Sequence, residues 1–347
     1  MYDVIIVGAG PVGLYTAKLC KNCGINVIIL EEHGIIGEPD HCSGLISTNV
    51  EDFVKIDSSW LEHEIKGAVI RSGSGKNIPL TKNKTAAYVI NRAKFDRSLS
   101  KGLEKNIVFN ECVEKISIKD DFVEVKTKKE KYKAKMIIGC DGFNSIVAKS
   151  IGSKPNELVN GIISIIDEKD NKDIVELWFD KKVAKDGFLW KIPRGKTTEY
   201  GMMSSGAKFE ELKKFFKLKS LGNKKASMIP IGPSKTYSNR ALLIGDAAAQ
   251  VKPWSGGGVV YGLTCAKIAV NVIKDALKEN NFSEEFLKTY EDQWKNAIGK
   301  NITVGLMFRE FYKDCNEKDI DTFFEMANKA SMNNLDMDFP LLDAFEI

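Results

Sequence analysis

The sequence predicts an α/β fold: a parallel sheet with helices packed on it, an inserted and mostly antiparallel sheet, and a helical C-terminal segment. Three observations carry that expectation. Residues 2–31 read as strand, glycine-rich turn, helix and strand. Residues 157–205 read instead as short strands between polar turns. From residue 283 onward the pattern is helical.

Taken in order, YDVIIV (2–7) is a short run rich in β-branched residues, as a fully buried strand requires. Gly8, Gly10 and Gly13 follow, and then an apolar-faced helix to about Cys23, closed by Gly24. NVIILE (26–31) is a second parallel strand, completing a βαβ unit of about 30 residues. Residues 66–72 and 86–90 read as strands. Residues 92–105 read as a helix in which Phe95, Leu99 and Leu103 recur about once per turn. Residues 106–139 alternate short strands with Lys-rich turns, and the charged run from Lys126 to Lys135 reads as a solvated hairpin. DEKDNKD (167–173) and Asp186-Gly187 punctuate the later strands. Residues 208–218 read as a helix, 240–246 as a buried strand, and 259–279 as a helix after a Gly-rich loop. Ser283 is placed to cap a helix with Glu284 and Glu285 in its first turn, along which Phe286, Tyr290 and Trp294 repeat every four residues.

The 347 residues are 43% hydrophobic and 28% charged, ordinary for a globular chain with a sizeable core. A formal charge of +4 is small for this length and does not point to nucleic acid. No apolar run approaches the roughly 18 residues that span a bilayer, and the N-terminus enters a strand directly, so a cytoplasmic protein is expected. Seven scattered cysteines argue against a disulfide framework. Cys20 and Cys23 form one C-x-x-C with no second pair, and there are only three histidines, so no metal site is expected.

The glycines have G-x-G-x-x-G spacing directly between a strand and a helix. The first allows the tight turn, the second lets a pyrophosphate approach the backbone, and the third lets helix and strand pack closely. The free N–H groups at the helix start favour phosphate. Glu31 ends the second strand, where it can accept hydrogen bonds from a ribose hydroxyl. GCDGFNS (139–145) and LLIGDAAAQVKPWSGGGV (242–259) each follow a further strand. In the second of these, Asp246 can bind another ribose or ribityl hydroxyl, and Gly256, Gly257 and Gly258 leave bare backbone for a flat ring. The helix starting near Val259 aims its dipole at the flavin edge that becomes negative on reduction. A ligand gripped near residues 10, 140 and 250 is elongated, which selects FAD.

Together with Arg92-x-x-Phe95-Asp96, these motifs resemble the para-hydroxybenzoate-hydroxylase-type FAD fold over about residues 1–275. Within that fold the chain resembles the geranylgeranyl reductase family, especially the archaeal digeranylgeranylglycerophospholipid reductases. Pro39-x-x-Cys42-Ser43-Gly44, Lys252-Pro253-Trp254-Ser255-Gly256-Gly257-Gly258 and Phe188-x-Trp190-x-Ile192-Pro193 carry the resemblance. Phe188 and Ile192 depart from the family's tyrosine and phenylalanine. The resemblance implies FAD contacts at Val12, Glu31, Cys42, Ser43, Arg92, Val113, Asp246, Gly258 and Val259, alongside Gly8, Gly10, Gly13 and Gly257 from the glycine motifs. Arg92 reads either as a pyrophosphate partner or as a salt-bridged helix start.

It further implies reduction of isolated C=C bonds in isoprenoid chains, with an isoprenoid lipid as substrate. An external donor, NAD(P)H or reduced ferredoxin, would supply electrons, since no second dinucleotide fingerprint is present. Cys42 and Trp190 are the catalytic candidates: a thiol beside the flavin as proton donor or packing contact, and an indole face to stabilise charge on a tertiary carbon. His41 reads as a relay or a surface residue. Expected boundaries are 1–60, 85–150 and 235–280 for the FAD-binding domain, 61–84 and 151–234 for the antiparallel-sheet substrate domain, and 281–347 for the helical segment. Helix 283–298 and residues 303–312 read as packing against their own protein, or else as a lid or a face resting peripherally on the cytoplasmic membrane. Two rivals stay open: a flavin monooxygenase or halogenase of the same fold, and a non-catalytic FAD electron-transfer protein.

Overall fold

The computed structural model describes residues 1–329 and 336–338. The first sheet runs, edge to edge, through Tyr237–Ser238, Ala241–Leu243, Lys131–Gly139, Tyr2–Val7, Val27–Leu30 and Ile107–Val108. From Ala241–Leu243 to Ile107–Val108 every neighbour pairs in parallel. Val4, Ile5, Ile6, Ile29, Ile137 and Ile138 are wholly buried, because helices or a further layer cover both faces of a parallel sheet. Helices Pro11–Asn22 and Val259–Glu279 and the start of the C-terminal helices cover one face; Ile146–Ser150 and the Val113–Ile118/Val123–Thr127 hairpin cover the other.

The second sheet has the order Asn223–Ile231, Glu157–Ile166, Thr198–Ser204, Phe188–Pro193, Ile174–Phe179, Gly67–Ser72, Asn77–Thr81. All its pairings are antiparallel except Ile174–Phe179 with Gly67–Ser72. A small antiparallel sheet, Leu45–Ser47, Ala87–Ile90, Leu61–Ile65, bridges the two larger ones. Beneath the second sheet lies an apolar cluster containing Phe188, Trp190, Ile192, Met203 and Ile231, joined by Val89 of the small sheet and by Val251.

The βαβ unit, the Lys126–Lys135 hairpin and the 259–279 helix form where the sequence placed them. The helix expected over 92–105 stops at Ser100, because Gly102 turns the chain with φ +83° while Leu103 stays buried. The strand expected over 240–246 shortens to Ala241–Leu243, and residues Gly245–Ala248 curl into a 3₁₀ turn. Ser283 caps helix Glu284–Trp294, accepting the Phe286 N–H. This helix continues through a π-helical turn, Lys295–Gly299, into Lys300–Asp314, and Glu317–Lys329 follows. The remainder of the expected C-terminal helical segment, 330–335 and 339–347, lies outside the described residues.

Candidate active site

Four parallel strands end in register: Val7 beside Leu30 on one side and Gly139 on the other, with Gly139 beside Leu243. Each sequence motif therefore follows its strand at the same edge of the sheet, the carboxyl edge where open α/β sheets bind ligands. Their convergence is a property of topology, since about 240 residues separate Gly8 from Asp246 in the chain.

At Gly8 an added Cβ would lie 2.4 Å from the Cys140 carbonyl oxygen, and at Gly13 only 2.1 Å from the Gly8 oxygen; larger residues would force the turn open. At Gly10 an added Cβ meets nothing within 4 Å, so this backbone faces open space. Gly10 is also the N-cap of Pro11–Asn22, with no side-chain cap and no acid in the first turn. Its free N–H groups have nothing of the chain's own to neutralise them, which fits a phosphate. Glu31 is buried; its Oε2 accepts the Ala9 N–H at 2.7 Å, and its Oε1 accepts the His33 N–H at 2.9 Å. The His33 ring nitrogen also lies 2.8 Å from Oε1, so of the about four acceptor positions of a carboxylate one on Oε2 is left for a ribose hydroxyl. Glu111 N–H donates to the Glu31 carbonyl at 2.8 Å, bringing the segment that leads to buried Val113 alongside. Val12 packs against the last motif: an added Cβ at Gly262 would lie 2.4 Å from its methyl group.

Asp246 is open to solvent even though protein crowds around it, as for a carboxylate at the bottom of a cleft. That crowding raises its pKa against the opposing charge of Arg92. An added Cβ at Gly258 would lie 2.8 Å from its Oδ1. Gly258 begins helix Val259–Glu279, again with no side-chain cap and no acid in the first turn. Arg92 opens helix Arg92–Ser100 and pairs with Asp96 at 3.2 Å, four residues on. Burial opposes its charge, but Asp96, with Cys42 and Asp40 nearby, holds the guanidinium protonated. Arg92 is thus both a salt-bridged helix start and a cation facing Asp246. Two uncapped helix N-termini, Glu31 and the cleft carboxylate along one sheet edge fit FAD.

The Cys42 loop is held by its own polar groups. Cys42 N–H donates to Asp40 Oδ1 at 3.1 Å, and Asp40 Oδ2 pairs with Lys225 of the second sheet at 2.5 Å. The thiol is half-buried, while His41 is exposed. Trp190 is buried; its indole lies on the bare backbone of its cross-strand partner Gly201, where an added Cβ would sit 2.1 Å from a ring atom. Its Nε1–H donates to Glu199 Oε1 at 2.8 Å. The other oxygen of Glu199 accepts from Arg194 Nη1, also at 2.8 Å. Arg194 in turn donates to the carbonyl oxygens of Ser43 and Ile90 and to Glu62. Burial pushes the Glu199 carboxyl up to about 7, against the pull of Arg194 and the Trp190 N–H. Lys252, in the Gly-rich loop, is buried and pairs with Asp338 at 2.8 Å. Asp338 also accepts from Ser47 and Asn49, tying the C-terminal segment to the strand after the Cys42 loop. Trp254 packs against Gly305 of helix Lys300–Asp314.

Gly8, Gly10, Gly13, Glu31, Asp246, Gly258 and Val259 meet at the sheet edge, with Arg92 near both Asp246 and Cys42. Trp190 is linked to this group through Glu199 and Arg194 and through the apolar cluster that includes Val251. Sequence reasoning missed Arg194, Glu199 and Asp338. The first two flank an ordinary polar turn and the third is remote in sequence, so only pairing in space exposes them.

Known proteins share this fold. The pyridine nucleotide-disulphide oxidoreductase family model matches residues 5–152. A digeranylgeranylglycerophospholipid reductase of Methanocaldococcus jannaschii is 29% identical over 97% of this chain and 93% of its own length. An uncharacterized protein of the same organism is 30% identical over 95% of this chain and 89% of its own. Among solved structures, a geranylgeranyl bacteriochlorophyll reductase-like protein from Thermoplasma acidophilum superposes with a TM-score of 0.90 at 22% identity, covering 99% of this chain and 96% of that one. A halogenase in complex with FAD gives 0.73 at 17% identity, over 90% and 77%.

Proposed function

We propose that this chain, an FAD-dependent oxidoreductase of the geranylgeranyl reductase family, saturates isolated C=C bonds in the isoprenoid chains of membrane lipids or their precursors, as the names of its digeranylgeranylglycerophospholipid reductase relatives suggest. The observation that carries this reading is the apolar cluster of Phe188, Trp190, Ile192 and Met203, which also holds Val251 of the cofactor loop. Such a cluster suits a hydrocarbon chain and excludes water.

Gly10 and Gly258 offer bare N–H groups to the cofactor, while Glu31 and Asp246 hold its hydroxyls. When bound, FAD supplies the hydride for one carbon of the alkene. The other carbon needs a proton, and Cys42 Sγ is the group proposed to hold it. An isolated alkene has no carbonyl to polarise it, so charge develops on the more substituted carbon. The π-face of Trp190 is proposed to stabilise that charge. Burial of the surrounding cluster strengthens the interaction by keeping the local dielectric low.

The two-electron donor, NAD(P)H or reduced ferredoxin, acts from outside. Among the described residues no helix is long and apolar enough to cross a membrane. Exposed Met307 and Phe311 on one face of helix Lys300–Asp314 are the proposed point of peripheral contact with a lipid surface.

The test is anaerobic incubation of FAD-loaded, dithionite-reduced protein with a geranylgeranyl lipid, followed by mass spectrometry. A gain of two mass units per double bond is expected. Cys42→Ala should stay yellow and lose this gain. Oxygen consumption coupled to NADH oxidation, with no alkene saturation, would instead favour a monooxygenase.

A further inference from the structure

We propose that Arg194 and Glu199 are positioning residues, forming a buried strut that fixes the Trp190 wall against the Cys42–Ser43 loop. The inference rests on the reading of those two segments as opposite sides of the reaction chamber.

The hairpin that carries Trp190 also carries both strut residues. In the register of Phe188–Pro193 with Thr198–Ser204, Trp190 faces Gly201 and Ile192 faces Glu199. Glu199 and Gly201 are two apart and so lie on one face of the strand. With no side chain at 201, the indole can lie flat there and reach the Glu199 carboxylate. Arg194, in the turn just beyond Pro193, closes back on the other carboxylate oxygen.

From there the guanidinium leaves the hairpin. Nη1 donates to the Ser43 carbonyl, Nη2 to the Ile90 carbonyl at 3.1 Å, and Nε to Glu62 Oε2 at 2.9 Å; Nη2 also lies 2.6 Å from that oxygen. Ser43 is next to Cys42, and the Ile90 N–H donates to the Gly44 carbonyl at 2.9 Å, a second tie to the same loop. One fork-shaped cation therefore joins three separate pieces of chain: the second sheet, the end of the small sheet and the candidate proton-donor loop. Arg194 is 7% exposed and Glu199 is fully buried.

Energetics favour a geometric role. Taking two charges out of water costs more than a simple apolar filling of the same space, and breaking such a pair leaves an unpaired charge behind. What the pair adds is direction: a planar guanidinium holds several acceptors at fixed angles, which a lysine cannot reproduce. A reaction between a ring face, a thiol and an alkene needs those directions, because small misplacements cost large factors in rate.

The test uses FAD-loaded full chains of Arg194→Lys and Glu199→Gln beside wild type. The first readout is flavin reoxidation by a geranylgeranyl lipid under anaerobic single-turnover conditions. Each variant is expected to lose about 100-fold in this step, with KM changed by no more than about threefold. The second readout needs no substrate: iodoacetamide labelling of Cys42, followed by peptide mass spectrometry. A slackened loop should raise Cys42 labelling by about fivefold or more, with exposed Cys23 and Cys112 unchanged. Variants that bind FAD and match wild type in both readouts overturn the proposal. So do variants that lose FAD and fold together, since the pair would then be a general structural element. If wild type itself leaves the lipid untouched, the functional reading fails while the labelling result still judges the strut.

Discussion

Gly201→Ala puts the packing beneath the second sheet to a quantitative test. The new methyl group would lie 2.1, 2.2 and 2.5 Å from three atoms of the Trp190 indole. Ordinary contact begins near 3.4 Å, so the ring has to retreat by more than about 1 Å, an overpacking that costs roughly 1–3 kcal/mol. That retreat breaks the 2.8 Å Nε1–Glu199 bond. Loss of a buried hydrogen bond to a carboxylate costs a further ~1.5–3 kcal/mol. The combined loss is about 3–6 kcal/mol. At ~2.1 cal/mol/K of unfolding entropy per residue, a chain of 347 residues shifts by about 1.4 °C per kcal/mol. A fall in Tm of about 4–8 °C is therefore expected by differential scanning calorimetry. Tryptophan emission should shift red as the indole leaves its buried seat. An unchanged Tm with unchanged emission would refute the claim that Trp190 lies against the Gly201 backbone.

Three further outcomes follow from the same geometry. Because burial raises the Glu199 pKa to about 7, above the value of an unfolded carboxyl, the folded state binds the extra proton. The stability this contributes is full below the unfolded pKa and is lost as pH rises through 7. The Tm of Glu199→Gln relative to wild type should accordingly improve between pH 6 and pH 8, and a pH-independent difference would contradict this. Asp338→Asn removes the charge paired with buried Lys252 and should cost ~3–5 kcal/mol, visible as a lower Tm by differential scanning calorimetry. Glu31→Ala deletes the acceptor for Ala9 N–H and the proposed ribose contact. It should weaken FAD retention by about 10-fold or more, at ~1.5–3 kcal/mol for a charge-assisted bond, measured by flavin release on dilution.

The glycine triplet, Glu31, Asp246 and the glycines before Val259 were legible because each is fixed by a local demand. A tight turn, a bare backbone or a strand-end acceptor needs a particular residue at a particular spacing. The strands of the first sheet were legible for a related reason: burial on both faces leaves an unbroken apolar run. Local signals also set the limits of that reading. The helix ends before the apolar pattern of 92–105 does, because Leu103 keeps the period while Gly102 has already turned the chain.

Sequence alone therefore determined the kind of fold, the cofactor class and the local shape of each binding motif, since those depend on residues a few positions apart. Tertiary structure decided that four strand ends share one edge, and that Gly67–Ser72 joins the second sheet in parallel with Ile174–Phe179. It also decided that Arg194 and Glu199 link the Trp190 wall to Ser43, and that Asp338 reaches Lys252. An ion pair between distant segments leaves no periodicity in the chain. A charged residue reads as solvated until packing removes the water around it and forces it to find a partner.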